Sequence, residues 1–201
     1  MIVIGLTGSV GTGKSTVARL FQQHGAVVLD ADRVVHALME PGTPVWKKVR
    51  RRFGPEVIAS DGRVDRKKLG GQVFADRKQL QELNAIVHPA VRRRIQERIR
   101  QIRRADPAAV VVLDIPLLVE SGAAYRTDAL VVVSASVEAA ARRLKHRSGW
   151  SVKEFKRRRL FQLPLSVKKK KADFVVDNGG SLRETRRQVS QLWKQIVKER
   201  D

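Results

Sequence analysis

Eight residues near the start of the chain, Gly8-Ser9-Val10-Gly11-Thr12-Gly13-Lys14-Ser15, have the types and spacing to hold a triphosphate. They fit the pattern G-x-x-x-x-G-K-S/T. Its glycines let successive backbone N–H groups turn toward phosphate oxygens without a Cβ in the way. Lys14 can reach the β- and γ-phosphates, and the Ser15 hydroxyl can ligate Mg²⁺. The expected nucleotide contacts are Gly11, Thr12, Gly13, Lys14, Ser15 and Thr16.

Two acidic positions complete the outline of phosphoryl transfer. Asp30-Ala31-Asp32 falls where an apolar run gives way to a helical pattern. A carboxylate there can orient a hydroxyl nucleophile and accept its proton, and Asp32 is the candidate base. The structural alternative has Asp30 capping the helix with Asp32 in its first turn, and one aspartate suffices for the cap. Val110-Val111-Val112-Leu113-Asp114 is an apolar run ending in an acid, the form of the second NTPase motif, whose Asp helps hold Mg²⁺. Ser15 and Asp114 are therefore the expected metal ligands.

Arginines can stabilise the charge of a transferring phosphoryl group. Arg143 and Arg147 are four residues apart, so they share a helix face and can act together. His88-Pro89 has two readings. Proline at a first helical position would make His88 an N-cap, whereas His88 with Asn84 could instead contact a ligand. Four scattered histidines and no cysteine give no histidine or thiolate metal centre.

These residues need a scaffold. Ile2–Leu6, Ala26–Leu29, Val110–Ile115, Leu130–Val133 and Phe174–Val176 are short, Val-rich and mostly without polar alternation, as strands buried on both faces are. Helical patterns separate them, which predicts an α/β fold with a parallel sheet. After the phosphate loop, Val17, Leu20 and Phe21 mark a helix that Gly25 closes. Helices are expected at Ala31–Glu40, Pro44–Phe53, Lys78–Val87 and Pro89–Arg104, the last with an apolar stripe of Val91, Ile95, Ile99 and Ile102. A helical pair, about 137–147 and 151–160, follows the fourth strand. Ser151–Glu154 and Ser181–Glu184 read as capping boxes, and Leu182, Val189, Trp193 and Ile196 as the buried face of the last helix. The spacing predicts a core of about 1–30, 108–136 and 172–201, a helical acceptor-binding insertion of about 31–107, and a lid of about 137–171.

Forty-one Lys+Arg against twenty Asp+Glu give a net charge of +21, more than one nucleotide needs. Nonspecific polyanion binding is one expectation and solvated helix faces another, because the basic clusters are scattered along the chain. One tyrosine and 5% aromatic content offer few platforms for stacking bases. No apolar run can cross a membrane. The first strand begins at once, so no secretory leader is expected, and the cytoplasm is the expected location. No obligate protein partner is evident.

Taken together, the chain resembles the dephospho-coenzyme A kinases over essentially its full length. The resemblance rests on Gly5-Leu6-Thr7-Gly8 entering the loop, Asp30-Ala31-Asp32, and Asp61-Gly62-Arg63-Val64-Asp65-Arg66 with Leu69. It continues through Val73-Phe74, Leu83-Asn84 with His88-Pro89, Asp114-Ile115-Pro116-Leu117-Leu118 with Glu120, Gln162, and Ala172-Asp173 to Asp177-Asn178. Ser9, Val119 and Ser148 depart from residues frequent in that family. The resemblance implies a P-loop core of five parallel strands, a helical CoA-binding domain and a lid. It implies transfer of the ATP γ-phosphate, with Mg²⁺, to the ribose 3′-hydroxyl of dephospho-CoA. Asp32 would be the base, Lys14 and Ser15 would act on phosphate and Mg²⁺, and the Asn178 region would lie near the adenine, while the departure at Ser148 leaves open which lid arginine acts. Asp32, Asn84, His88, Leu117 and Glu120 would face the acceptor. Another small-molecule kinase on the same core is the nearest rival, and a nucleic-acid-binding P-loop protein the more distant one.

Overall fold

The computed structural model describes residues 1–116, 118–120, 125–149, 151–160 and 162–198, the side chains of 147, 148, 152 and 156–158 excepted. In chain order it contains β1 (Ile2–Gly8), α1 (Lys14–Gln23), β2 (Val27–Asp30), α2 (Ala31–Leu38), α3 (Pro44–Phe53), a 3₁₀ turn (Pro55–Val57), α4 (Arg66–Ala75) and α5 (Arg77–Ala105). There follow β3 (Val110–Asp114), β4 (Ala129–Ser134), α6 (Val137–Ser148), α7 (Val152–Arg159), α8 (Leu165–Lys170), β5 (Phe174–Asp177) and α9 (Leu182–Lys198).

The five strands form one all-parallel sheet in the order β2-β3-β1-β4-β5. This is the P-loop type of α/β fold expected from the Val-rich runs. Every residue of β3 is buried, which is why that run carries no polar alternation. Leu6 of β1 and Asp30 of β2 both stand in register with Asp114 of β3, so the chemistry-bearing ends of three strands lie side by side. One core joins the sheet to α1 and α9 through Ile4, Leu6, Val17, Phe21, Val112, Val133, Val189 and Ile196.

Two compact units are present, Met1–Asp30 with Ile102–Asp201, and Ala31–Gln101. In the second, Thr43 caps α3 by accepting from Trp46 N–H at 3.1 Å, and Asp65 caps α4 through Lys67 and Lys68 N–H, each at 3.0 Å. The Asp-Gly-Arg stretch is a turn. Asp61 Oδ1 accepts the Arg63 N–H at 3.0 Å, and Trp46 Nε1 donates to Gly62 O at 2.9 Å.

Two expectations need correction, and two helices are additions. The helices expected on either side of His88-Pro89 are one helix, α5, with Pro89 inside it. Proline there removes one intrahelical bond, a cost of about 3 kcal/mol. Val87, Val91, Ile95 and Ile102 are buried along the same helix and offset it. His88 is consequently a mid-helix residue and caps nothing. In α9 the buried residues are Thr185, Val189, Leu192 and Ile196, while Leu182 is 53% exposed and Trp193 only partly buried. The Ser181–Glu184 box closes the first turn. Its two reciprocal bonds are Ser181 N–H to Glu184 Oε2 at 2.8 Å and Glu184 N–H to Ser181 Oγ at 3.2 Å. Helix α4 was not expected, because Gly70-Gly71 interrupts its pattern and only Leu69 and Val73 are buried. Helix α8, six residues ending in lysines, has too little periodicity to be read.

Candidate active site

The phosphate loop leaves β1 at Gly8 and enters α1 at Lys14. Gly11 and Gly13 hold φ values of 82° and 81°, in the left-handed region where a side chain is strained. At Gly13 a Cβ would also collide with the Asn178 amide, so shape and torsion both demand glycine. Within the loop, Thr12 N–H and Thr12 Oγ1 both donate to Ser9 O, at 3.2 and 2.8 Å. Gly13 is the N-cap of α1 and supplies no side-chain cap. The amides of that first turn therefore present the positive end of a ten-residue helix to an anion.

Lys14 Nζ is paired with Asp114 Oδ1. The two side chains are 17% and 7% exposed, so the pair is largely withdrawn from water. Thr7 Oγ1 donates to Pro116 O at 3.1 Å and ties β1 to the segment after β3. Ser15 is exposed.

Above the loop, one network joins α6, α9 and the end of β5. Arg143 Nη2 donates to Asn178 O at 2.6 Å, and Nη1 to Thr12 O at 3.4 Å. Asn178 Nδ2 also donates to Thr12 O, at 2.8 Å, while its Oδ1 accepts from Thr185 Oγ1 at 2.9 Å. Thr12, Asn178 and Thr185 are all buried. Thus Arg143 and Asn178, predicted as site residues, both act on the loop carbonyl of Thr12. Of the expected pair of arginines, the Arg147 side chain lies outside the described residues.

Glu120, expected to face the acceptor, has its Oε1 engaged by Lys168 Nζ at 2.7 Å and by Leu163 N–H at 3.0 Å. Leu117 lies outside the described residues. Asp32, Asn84 and His88 belong to the other compact unit. Asp32 is exposed in the first turn of α2. Asn84 and His88, four residues apart on the continuous α5, share one helix face. Partial desolvation first, and the Arg92 charge one turn on second, lower the His88 pKa from its ordinary value.

Sequence reading assigned no role to Gln162, Lys168 or Thr185. Gln162 Oε1 accepts the Val10 N–H of the loop at 2.9 Å. Lys168 was masked by its setting in a run of four lysines. Thr185 is a fully buried polar residue in α9, outside the apolar face read from the sequence.

The arrangement has the parts of a phosphoryl-transfer site: a glycine-rich loop at a helix N-terminus, a lysine, and an acid beside it. Comparisons agree. The profile of the dephospho-CoA kinase family matches residues 2–184. A dephospho-CoA kinase of Symbiobacterium thermophilum is 47% identical over 194 residues, which is 96% of this chain and 81% of that one. Among solved structures, Thermus thermophilus TT1252 superposes with a TM-score of 0.83 at 38% identity, covering 96% of this chain and 97% of that one. A dephospho-CoA kinase from Campylobacter jejuni gives 0.73 at 26% identity, over 99% and 98% of the two chains.

Proposed function

Because this chain belongs to the dephospho-CoA kinase family, we propose that its phosphate loop carries ATP while Asp32 activates the acceptor. The reaction is ATP-dependent phosphorylation of dephospho-CoA at its ribose 3′-hydroxyl, which gives coenzyme A and ADP and is the last step of coenzyme A biosynthesis. The observation that carries the site assignment is the Lys14–Asp114 pair at the mouth of the loop. In this reading a triphosphate would claim the cation and its metal the carboxylate.

In this reading the loop amides and Lys14 take the β- and γ-phosphates, and Lys14 exchanges Asp114 for phosphate oxygens. Asp32 accepts the 3′-hydroxyl proton as the oxygen attacks phosphorus. Arg143, already fixed by two carbonyls, keeps guanidinium donors for phosphate oxygens. Arg147 would act beside it. The Asn178 region would hold the adenine, and Asn84 with His88 would offer polar groups to the acceptor.

The donor chemistry fits Mg²⁺. Ser15 offers an exposed hydroxyl and Asp114 a carboxylate, hard oxygen ligands of the kind Mg²⁺ takes together with substrate phosphates. These two residues would hold it, and when bound it neutralises charge on the phosphates. We place the acceptor site in about 31–107, a lid in about 137–171 and the remaining segments in the core.

Among the described residues no helix is long and apolar enough to cross a membrane. A cytoplasmic location suits a kinase of small soluble substrates. Weak, sequence-independent polyanion binding is expected as a by-product of the +21 charge. The deciding experiment follows ADP release from ATP and Mg²⁺ with dephospho-CoA, ribonucleosides or nucleic acid as acceptor. Turnover of a nucleoside without turnover of dephospho-CoA would reject the assignment.

A further inference from the structure

Lys168 sits on α8 with no exposed surface, although Lys169, Lys170 and Lys171 beside it are open to solvent. Its Nζ lies 2.7 Å from Glu120 Oε1, the oxygen that also accepts the Leu163 N–H at 3.0 Å. Lys168 Nζ and Glu120 Oε2 are sealed from solvent, and neither makes a well-directed hydrogen bond to another described residue. Charge and enclosure therefore hold the pair, rather than a saturated network. Enclosing two ions is expensive, and apolar residues of similar size would stabilise a core as well. What the pair supplies is location. It fastens the chain at Leu163 and Lys168 to the segment that follows β3.

One residue before Leu163, Gln162 reaches the phosphate loop, its Oε1 accepting the Val10 N–H at 2.9 Å. Val10 is also packed against Ala140, Leu144 and Phe155 of α6 and α7. The loop tip is thus gripped by a hydrogen bond on its backbone and an apolar cluster on its side chain. The hydrogen bond depends on where the chain at Gln162 and Leu163 is held.

We propose that Lys168 and Glu120 are positioning residues for the triphosphate. Their buried ion pair fixes the Gln162–Leu163 backbone, and Gln162 in turn holds the Val10 amide and the loop in its receiving shape. Glu120 then serves the phosphate loop rather than the acceptor. This rests on the reading that the loop binds ATP.

Four variants test it: Gln162→Ala, Lys168→Met, the two combined, and Lys168→Arg. Binding of a non-hydrolysable ATP analogue is measured by calorimetry, and KM is measured for both substrates. Each single variant is expected to weaken analogue binding and raise the ATP KM roughly tenfold, the worth of one well-placed hydrogen bond. The dephospho-CoA KM should stay within about twofold. The combined variant should be no worse than the weaker single one, because both changes release the same contact. Lys168→Arg, which keeps the charge, should restore binding. A purely structural pair would lower only the melting temperature of Lys168→Met. Unchanged analogue binding in Gln162→Ala, losses that multiply in the combined variant, or a larger effect on the acceptor KM would each overturn the proposal. If Lys168→Met does not fold, Glu120→Gln/Lys168→Met, which leaves no lone buried charge, takes its place under the same criteria. Failure of the unaltered chain to phosphorylate dephospho-CoA would reject the kinase reading instead, since analogue binding needs no acceptor.

Discussion

Lys14 of the phosphate loop and Asp114 at the end of β3, one hundred residues apart in the chain, form an ion pair that is mostly shielded from water. In the proposed reading, a triphosphate takes the place of Asp114 at Lys14. Lys14→Ala should therefore do two things. Turnover should fall by orders of magnitude through lost phosphate positioning, and stability should fall by about 3 kcal/mol because Asp114 loses its lysine. Adding Asp114→Asn should recover most of the melting temperature and none of the activity. Equal recovery of both would show that the pair serves folding alone.

Asp32 offers a cleaner separation, being exposed and in the first turn of α2. Asp32→Asn keeps the shape and removes the proton acceptor. Turnover should drop by a factor on the order of 10² or more while ATP affinity stays nearly constant. If the carboxylate only complements the helix dipole, the variant loses about 1 kcal/mol of stability and turns over normally. Turnover and melting temperature measured on one preparation distinguish these outcomes.

His88 is held less basic than an ordinary histidine by partial desolvation and by Arg92. An NMR titration of its ring should give a midpoint below the ordinary value of 6.5, and Arg92→Ala should move it upward. The unfolded chain binds more protons than the folded one in that interval. The histidine's contribution to stability is accordingly full above the ordinary value and is lost as the pH falls through the folded one. A midpoint above 6.5 would contradict the environment described for this face of α5.

The positive charge is expected to bind duplex DNA by counterion release alone. Arg92, Arg93, Arg94, Arg98, Arg100, Arg103 and Arg104 are all exposed on α5. Affinity should fall steeply across a salt series and be the same for unrelated sequences. Strong sequence discrimination at physiological salt would reveal a dedicated nucleic-acid function instead.

What the chain's own sequence determined is what short-range physics controls. The phosphate loop, its flanking strand and helix, the bounds of α3 and the Ser181–Glu184 box each depend on residues within a few positions of one another, so their types and spacing suffice. The five strands were legible because strands covered on both faces are continuously apolar. Tertiary structure decided the rest. Pro89 looked like a helix start, since the local cost of proline is visible in the sequence and the buried stripe that outweighs it is not. Leu182 looked buried by its period, yet it is 53% exposed, and Thr185 and Leu192 join Val189 and Ile196 inside. Lys168 looked like one of four solvated lysines. Only the fold brings Glu120 to it across forty-eight positions and seals the pair from water, and only the fold sets Asn178, Thr185 and Arg143 around the carbonyl of Thr12. Such contacts join residues far apart in the chain, and no local pattern of residues encodes a partner at that distance.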